Sequence, residues 1–267
     1  MNLIKTFGLV VKPKITKGKK MMNPLNHQIL DGYIYCLRDK DVNCFLIRNG
    51  KSFIAIDSGY MNSENIRTGL SKFNIQASSV TDCFLTHLDI DHAGGVSDNT
   101  DKIFPNAKIH LSFEESKYLN GKYIRKTILG HKCKLPIQLS NYECFSDNEE
   151  FKFENIRIKT VLIPGHTLGH SGFILNDGYL FCGDCIIANE DGGYLFFDFW
   201  NQDIQMNKTS VHKLKRYVLD NSIDSIITSH SGILNRDIAF SHIDTSPDWR
   251  KKGFVFCKNA DFDPYAQ

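Results

Sequence analysis

The chain has 267 residues, of which 42% are hydrophobic and 23% charged. That is enough to bury a full core, and it argues against repeat or disordered architectures. Lys and Arg number 32 against 30 Asp and Glu, without the basic excess of a dedicated nucleic-acid binder, and no apolar run reaches membrane-spanning length.

Residues 1–22 read as a solvated basic arm, with six Lys and no acid in the first 20. The rest, 23–267, reads as one domain. No stretch has the order of a secretory signal, so a cytoplasmic location is expected and the eight Cys are read as free thiols. From residue 28 short apolar runs alternate with turns: QILDGYIYCL, VNCFLIRN and KSFIAIDSG, with Asn49-Gly50 marking a hairpin between the second and third. SENIRTGLSKF predicts a helix capped by Ser63, with Ile66, Leu70 and Phe73 on one face. The strand VTDCFLT runs up to His87, and SFEESKYL opens with a capping box, Ser112 and Glu115. Residues 121–150 are polar and irregular and read as a surface insertion. Strands resume with NIRIKTVLIPG, HSGFILN and GYLFCGD. An aromatic loop, DGGYLFFDFW, follows, then a helix with Val211, Leu214 and Val218 on one face, then the strand IDSIITSH. Strands thus fall in two groups, each followed by helix. The expected fold is α+β: an αββα sandwich of two mixed β-sheets with flanking helices.

One pattern recurs four times. A short apolar run ends abruptly in residues able to ligate a metal: FLT before His87, Asp89, Asp91 and His92; VLIPG before His166; LFCG before Asp184; IITS before His230. Strand ends are rigid, and loops leaving them can converge on one point, as a metal site demands. Any one of these residues alone reads as a hydrogen-bonded structural group; the combination carries the signal.

In that combination, 87-HLDIDH-92, 165-GHTLGH-170, 183-GD-184 and 229-SH-230, the chain resembles the metallo-β-lactamase-fold hydrolases over about residues 28–235. IDSG at 56–59, AGG at 93–95 and FPNAKI at 104–109 are similar to that family as well. The resemblance implies two divalent metal ions. His87, Asp89 and His166 would hold the first, Asp91, His92 and His230 the second, and Asp184 would bridge them. It implies that a metal-bridging hydroxide attacks an ester-like bond of a small molecule, with Asp91 as the catalytic group that orients it and passes a proton on. His170, beside His166, becomes a substrate or supporting contact. Tyr194, Phe196 and Phe197 in the aromatic loop, and Tyr60 after IDSG, become candidate substrate contacts.

Asp89 departs from the family motif, which has His there. Asp89, Asp91, Asp184 and a hydroxide would neutralise two divalent cations, lowering the pKa of bound water less. A carboxylate is also a harder ligand than imidazole, which makes Fe or Mn serious competitors of Zn; the alternative is that Asp89 does not ligate and only one metal binds tightly. The substrate stays open among lactone, thioester, carboxylic ester and phosphoester. A glyoxalase-II-type thioesterase is disfavoured by the short sequence after His230. Two further readings stand beside hydrolysis: a flavodiiron-like redox protein needing a separate electron donor, and a non-catalytic, metal-bound ligand sensor. Oligomeric state is not legible.

Overall fold

A computed structural model describes residues 22–126 and 132–245. The basic arm, apart from Met22, and the stretch from 246 to 267 lie outside the described residues. Among those described, two sheets pack face to face. The first contains β1 (Gln28–Ile29), β2 (Ile34–Asp39), β3 (Val42–Asn49), β4 (Ser52–Ile56), β5 (Val80–Phe84) and β6 (Lys108–Ser112). β7 (Arg125–Lys126) and β8 (Lys132–Cys133) form a small antiparallel pair outside it. β9 (Glu143–Phe145) closes the first sheet beside β6. Its early strands are antiparallel, while β4, β5, β6 and β9 run parallel.

The second sheet has the order β10 (Glu150–Lys152), β11 (Arg157–Leu162), β12 (Ser171–Leu175), β13 (Tyr179–Phe181), β16 (Ser225–Thr228), β17 (Gly232–Asn235). Only β13 and β16 pair in parallel in it, because the intervening crossover carries a helix. β14 (Ile186–Asn189) and β15 (Gly192–Leu195) make a separate hairpin.

Period-two alternation sorts the side chains into layers. Phe45, Ile47, Ile54, Ile56 and Phe84 of the first sheet meet Ile158, Phe173, Leu175, Phe181 and Ile227 of the second. Their neighbours Leu46, Ala55 and Cys83 point the other way, onto α1 (Glu64–Lys72) through Ile66 and Leu70. Ile174, Leu180, Ile226 and Leu234 likewise face Val211, Leu214 and Val218 of α4 (Ile204–Asp220). The result is the expected αββα sandwich. Ser63 caps α1 by accepting from the Ile66 amide, and the β3–β4 hairpin turns at Gly50, whose φ of +59° suits glycine.

One expectation needs correction. Residues 121–150 are not merely a surface insertion: they supply β7, β8 and β9, and Arg125, Ile137 and Phe145 within them are buried. The polar look came from exposed residues alternating with a few that face inward. No helix among the described residues is long and apolar enough to cross a membrane.

Candidate metal centre

Each of the four motif stretches leaves the C-terminal end of a strand within four residues. His87 follows β5, His166 follows β11, Asp184 follows β13 and His230 follows β16. β5 belongs to one sheet and the other three strands to the second, so the loops meet over one edge of the sandwich. Asp89 stands at the N-terminus of the short helix α2 (Ile90–Ala93), which carries Asp91 and His92.

The side chains converge. His87, Asp89 and His166 form one group whose ligand atoms lie within 4.8 Å of one another; Asp91, His92 and His230 form another, and His87, His92 and Asp184 a third. Asp184 connects the first two: its Oδ2 lies 3.6 Å from His166 Nε2 and 3.2 Å from His230 Nε2, and its Oδ1 lies 3.4 Å from His92 Nε2. Asp91 Oδ2 lies 3.5 Å from His230 Nε2 and 3.6 Å from His92 Nε2. Asp89 Oδ2 lies 3.2 Å from His166 Nε2 and 3.7 Å from His87 Nε2.

Every imidazole presents Nε2 inward because a neighbour engages its Nδ1. His92 Nδ1 meets the Asp57 carboxylate at 2.8 Å, His87 Nδ1 meets the Thr86 hydroxyl at 3.0 Å, His166 Nδ1 meets Asn201 Oδ1 at 3.3 Å, and His230 Nδ1 meets the Asp41 carbonyl. Such partners fix ring orientation and leave the other nitrogen for a ligand. Nε2 of His87, His92 and His230 and Oδ1 of Asp184 are buried without a hydrogen-bond partner among the described residues. Buried polar atoms are ordinarily satisfied, so this convergence of unsatisfied nitrogens and a carboxylate oxygen fits a divalent cation pair.

The charges agree. Burial pushes the His87 imidazole well below its ordinary pKa. At His92 burial acts the same way, but Asp184, Asp57 and Asp91 outweigh it and hold the ring well above. At Asp184 burial opposes ionisation, yet His230 and His92 keep the carboxyl well below the usual range. Without a cation, the proton favoured on the His92 imidazole offsets part of the carboxylate charge; a cation would displace it.

Sequence comparison now identifies the fold. The family model of the metallo-β-lactamase superfamily matches residues 37–231. The chain belongs to that superfamily. Its curated relatives include a Beta-lactamase-like protein 2 homolog of Drosophila melanogaster, 24% identical over 73% of this chain and 60% of that one. They also include a hydroxyacylglutathione hydrolase of Buchnera aphidicola, 28% identical over 64% of this chain and 54% of that one. The chain spans little more than half the length of these superfamily relatives. Among solved structures, a B3 metallo-β-lactamase with an active-site glutamic acid superposes with a TM-score of 0.62 at 17% identity, covering 85% of each chain.

The remaining sequence candidates fall in different places. Phe196 lies against the centre, its ring 4.9 Å from that of His166 and 5.8 Å from that of His230. Phe197 packs behind it at 5.3 Å and stacks on the half-exposed Phe199. His170 is buried and its Nε2 accepts from the Asp184 amide at 3.0 Å, so it orients the loop of that carboxylate; the Cβ of any other residue at Gly183 would stand 2.5 Å from the same nitrogen. The two tyrosine candidates are buried as well. Tyr60 is fully buried, its hydroxyl on Asp41 at 2.8 Å, because the turn after β4 folds inward. Tyr194 sits in β15, stacks on His242 and packs in one buried cluster with Phe196 and Phe197.

Several contributors escaped the sequence reading. Asp57 lies in the IDSG stretch, and the signal was there without a role. Glu115 accepts from the Leu88 and Gly169 amides and the Thr167 hydroxyl, tying the two His-bearing loops together. Arg125 grips Asp89 with two hydrogen bonds, Nε to Oδ1 at 3.0 Å and Nη2 to Oδ2 at 2.8 Å. No spacing pattern marks Arg125 in the sequence.

Proposed function

We propose that the chain is a hydrolase that uses two divalent cations to cleave an ester-like bond of a small molecule. The observation that carries this reading is the inward convergence of four Nε2 atoms on three carboxylates, with Asp184 in reach of both groups. Cations held there would supply a hydroxide at neutral pH and a Lewis acid for the substrate oxygen.

The chain's own residues would do the rest. His87, Asp89 and His166 would hold one cation and Asp91, His92 and His230 the other, with Asp184 in reach of both groups. Asp91, facing both His92 and His230, orients the attacking oxygen and returns a proton to the leaving group. Phe196 supplies an apolar wall that excludes water from one side. No Ser or Cys nucleophile is needed, and Cys182 and Cys185 beside Asp184 are fully buried.

Of the ester-like bonds, the thioester gains support from relatives described as hydroxyacylglutathione hydrolase and as an Aspergillus fumigatus atrochrysone carboxyl ACP thioesterase, the latter 28% identical over 61% of this chain. Zn is the expected metal, with Fe or Mn competing through the oxygen ligand Asp89. The test is a hydrolysis screen over thioester, lactone, aryl ester and phosphodiester substrates, with each metal added in turn. The expected result is metal-dependent turnover of at least one acyl substrate that Asp184→Ala abolishes. Equal turnover by the variant, or none for any class with metal bound, overturns the reading.

A further inference from the structure

Arg125 enters the cluster from β7 and is nearly buried, 5% exposed. Besides its fork on Asp89, Nη1 donates to the His166 carbonyl at 2.8 Å and Nη2 to the Trp200 carbonyl at 2.9 Å. The guanidinium cannot withdraw without stranding buried acceptors. Nη2 also lies 3.3 Å from His166 Nε2. The nitrogen of His166 and the oxygen of Asp89 that would face a cation therefore both face a fixed positive charge already. Asp89 begins α2, but its carboxylate does not cap that helix; it turns to Arg125. The second group is built differently. His92 and His230 are backed by the Asp57 carboxylate and the Asp41 carbonyl and face Asp184, all of which favour positive charge.

We propose that Arg125 makes the two cation positions unequal. The position of Asp91, His92 and His230 fills first. The position of His87, Asp89 and His166 takes its cation more weakly, because that cation must share Asp89 with a pinned guanidinium and sit beside it. Paired with Arg125, Asp89 carries no net charge locally, as a neutral imidazole at that place would carry none. Arg125 is thus a positioning residue that acts through Asp89. The inference rests on the metal-centre reading above.

The test is zinc titration of the chelator-stripped full chain against a chromophoric chelator. The wild type is expected to bind Zn²⁺ in two steps at least roughly tenfold apart in affinity. His87→Ala removes the weaker step and leaves the tighter. Arg125→Gln tightens the weaker step by about tenfold or more and leaves the tighter step in place. Arg125→Lys, which keeps the charge without the fork, preserves the spacing. A weaker step unchanged or loosened in Arg125→Gln overturns the proposal. Two equal steps in the wild type overturn it too, and that measurement needs no variant to fold. Absence of any zinc step sinks the metal-centre reading itself and is recognisable as such.

Discussion

Asp57 shows how a single residue can set a site it would never touch. It stands at a φ of +59°, accepts from the Thr86 amide at 2.8 Å and meets His92 Nδ1 at the same distance. One carboxylate thereby engages both the start of the loop that carries the candidate ligands and the ring of one of them, His92. Asp57→Asn keeps the left-handed backbone, which Asn tolerates, but removes the charge. Cation affinity is expected to fall by about 10- to 100-fold, read by competition with a chelator; an unchanged affinity would show that the Thr86 contacts alone hold the ring. The same scale shows where sequence reasoning failed. A lone Arg in YIRK and a Tyr after IDSG have no pattern around them, and whether each faces the centre or the core depends on the path of the backbone. The charge argument drawn from Asp89 omitted Arg125, whose positive charge lies across the pair.

At the scale of elements, the strand ends were legible because a buried strand reads as an apolar run and its end as an abrupt polar residue. The helix Phe113–Ser116, α3, was legible only in part. Ser112 does accept from the Glu115 amide at 3.0 Å, as the capping box predicts, but the Glu115 carboxylate leaves its own helix to brace Leu88, Thr167 and Gly169. Burial there raises its pKa to about 7 from 4.5. Between those values the unfolded chain releases this proton while the folded chain keeps it, so folding stability contributed by this group falls as pH rises through that window. Glu115→Gln removes the ionisation. Thermal unfolding across the window should show a downward slope for the wild type relative to the variant; parallel curves would refute the assignment.

For the whole molecule, the centre joins the two sheets. His87, Asp89, Asp91 and His92 follow a strand of the first sheet, and His166, Asp184 and His230 follow strands of the second. Cations held between them would cross-link the sandwich beside its apolar interior. Removing them with a chelator should lower the unfolding temperature, by an amount equivalent to about 3–4 kcal/mol at cation concentrations a hundred to a thousand times Kd. Calorimetry with and without chelator checks this, and an unchanged transition would mean that no cation binds the folded chain in preference to the unfolded one.

The sequence by itself determined the sandwich and the seven candidate ligands. Periodicity reports which face of each strand is buried, and a metal-binding residue at a strand end is visible without knowing where that end lies in space. Only the tertiary structure decided what stands behind those ligands. Arg125, Glu115 and Asp57 meet the cluster from β7, α3 and the turn after β4, and contacts between segments so far apart in the chain leave no spacing for a linear reading to detect.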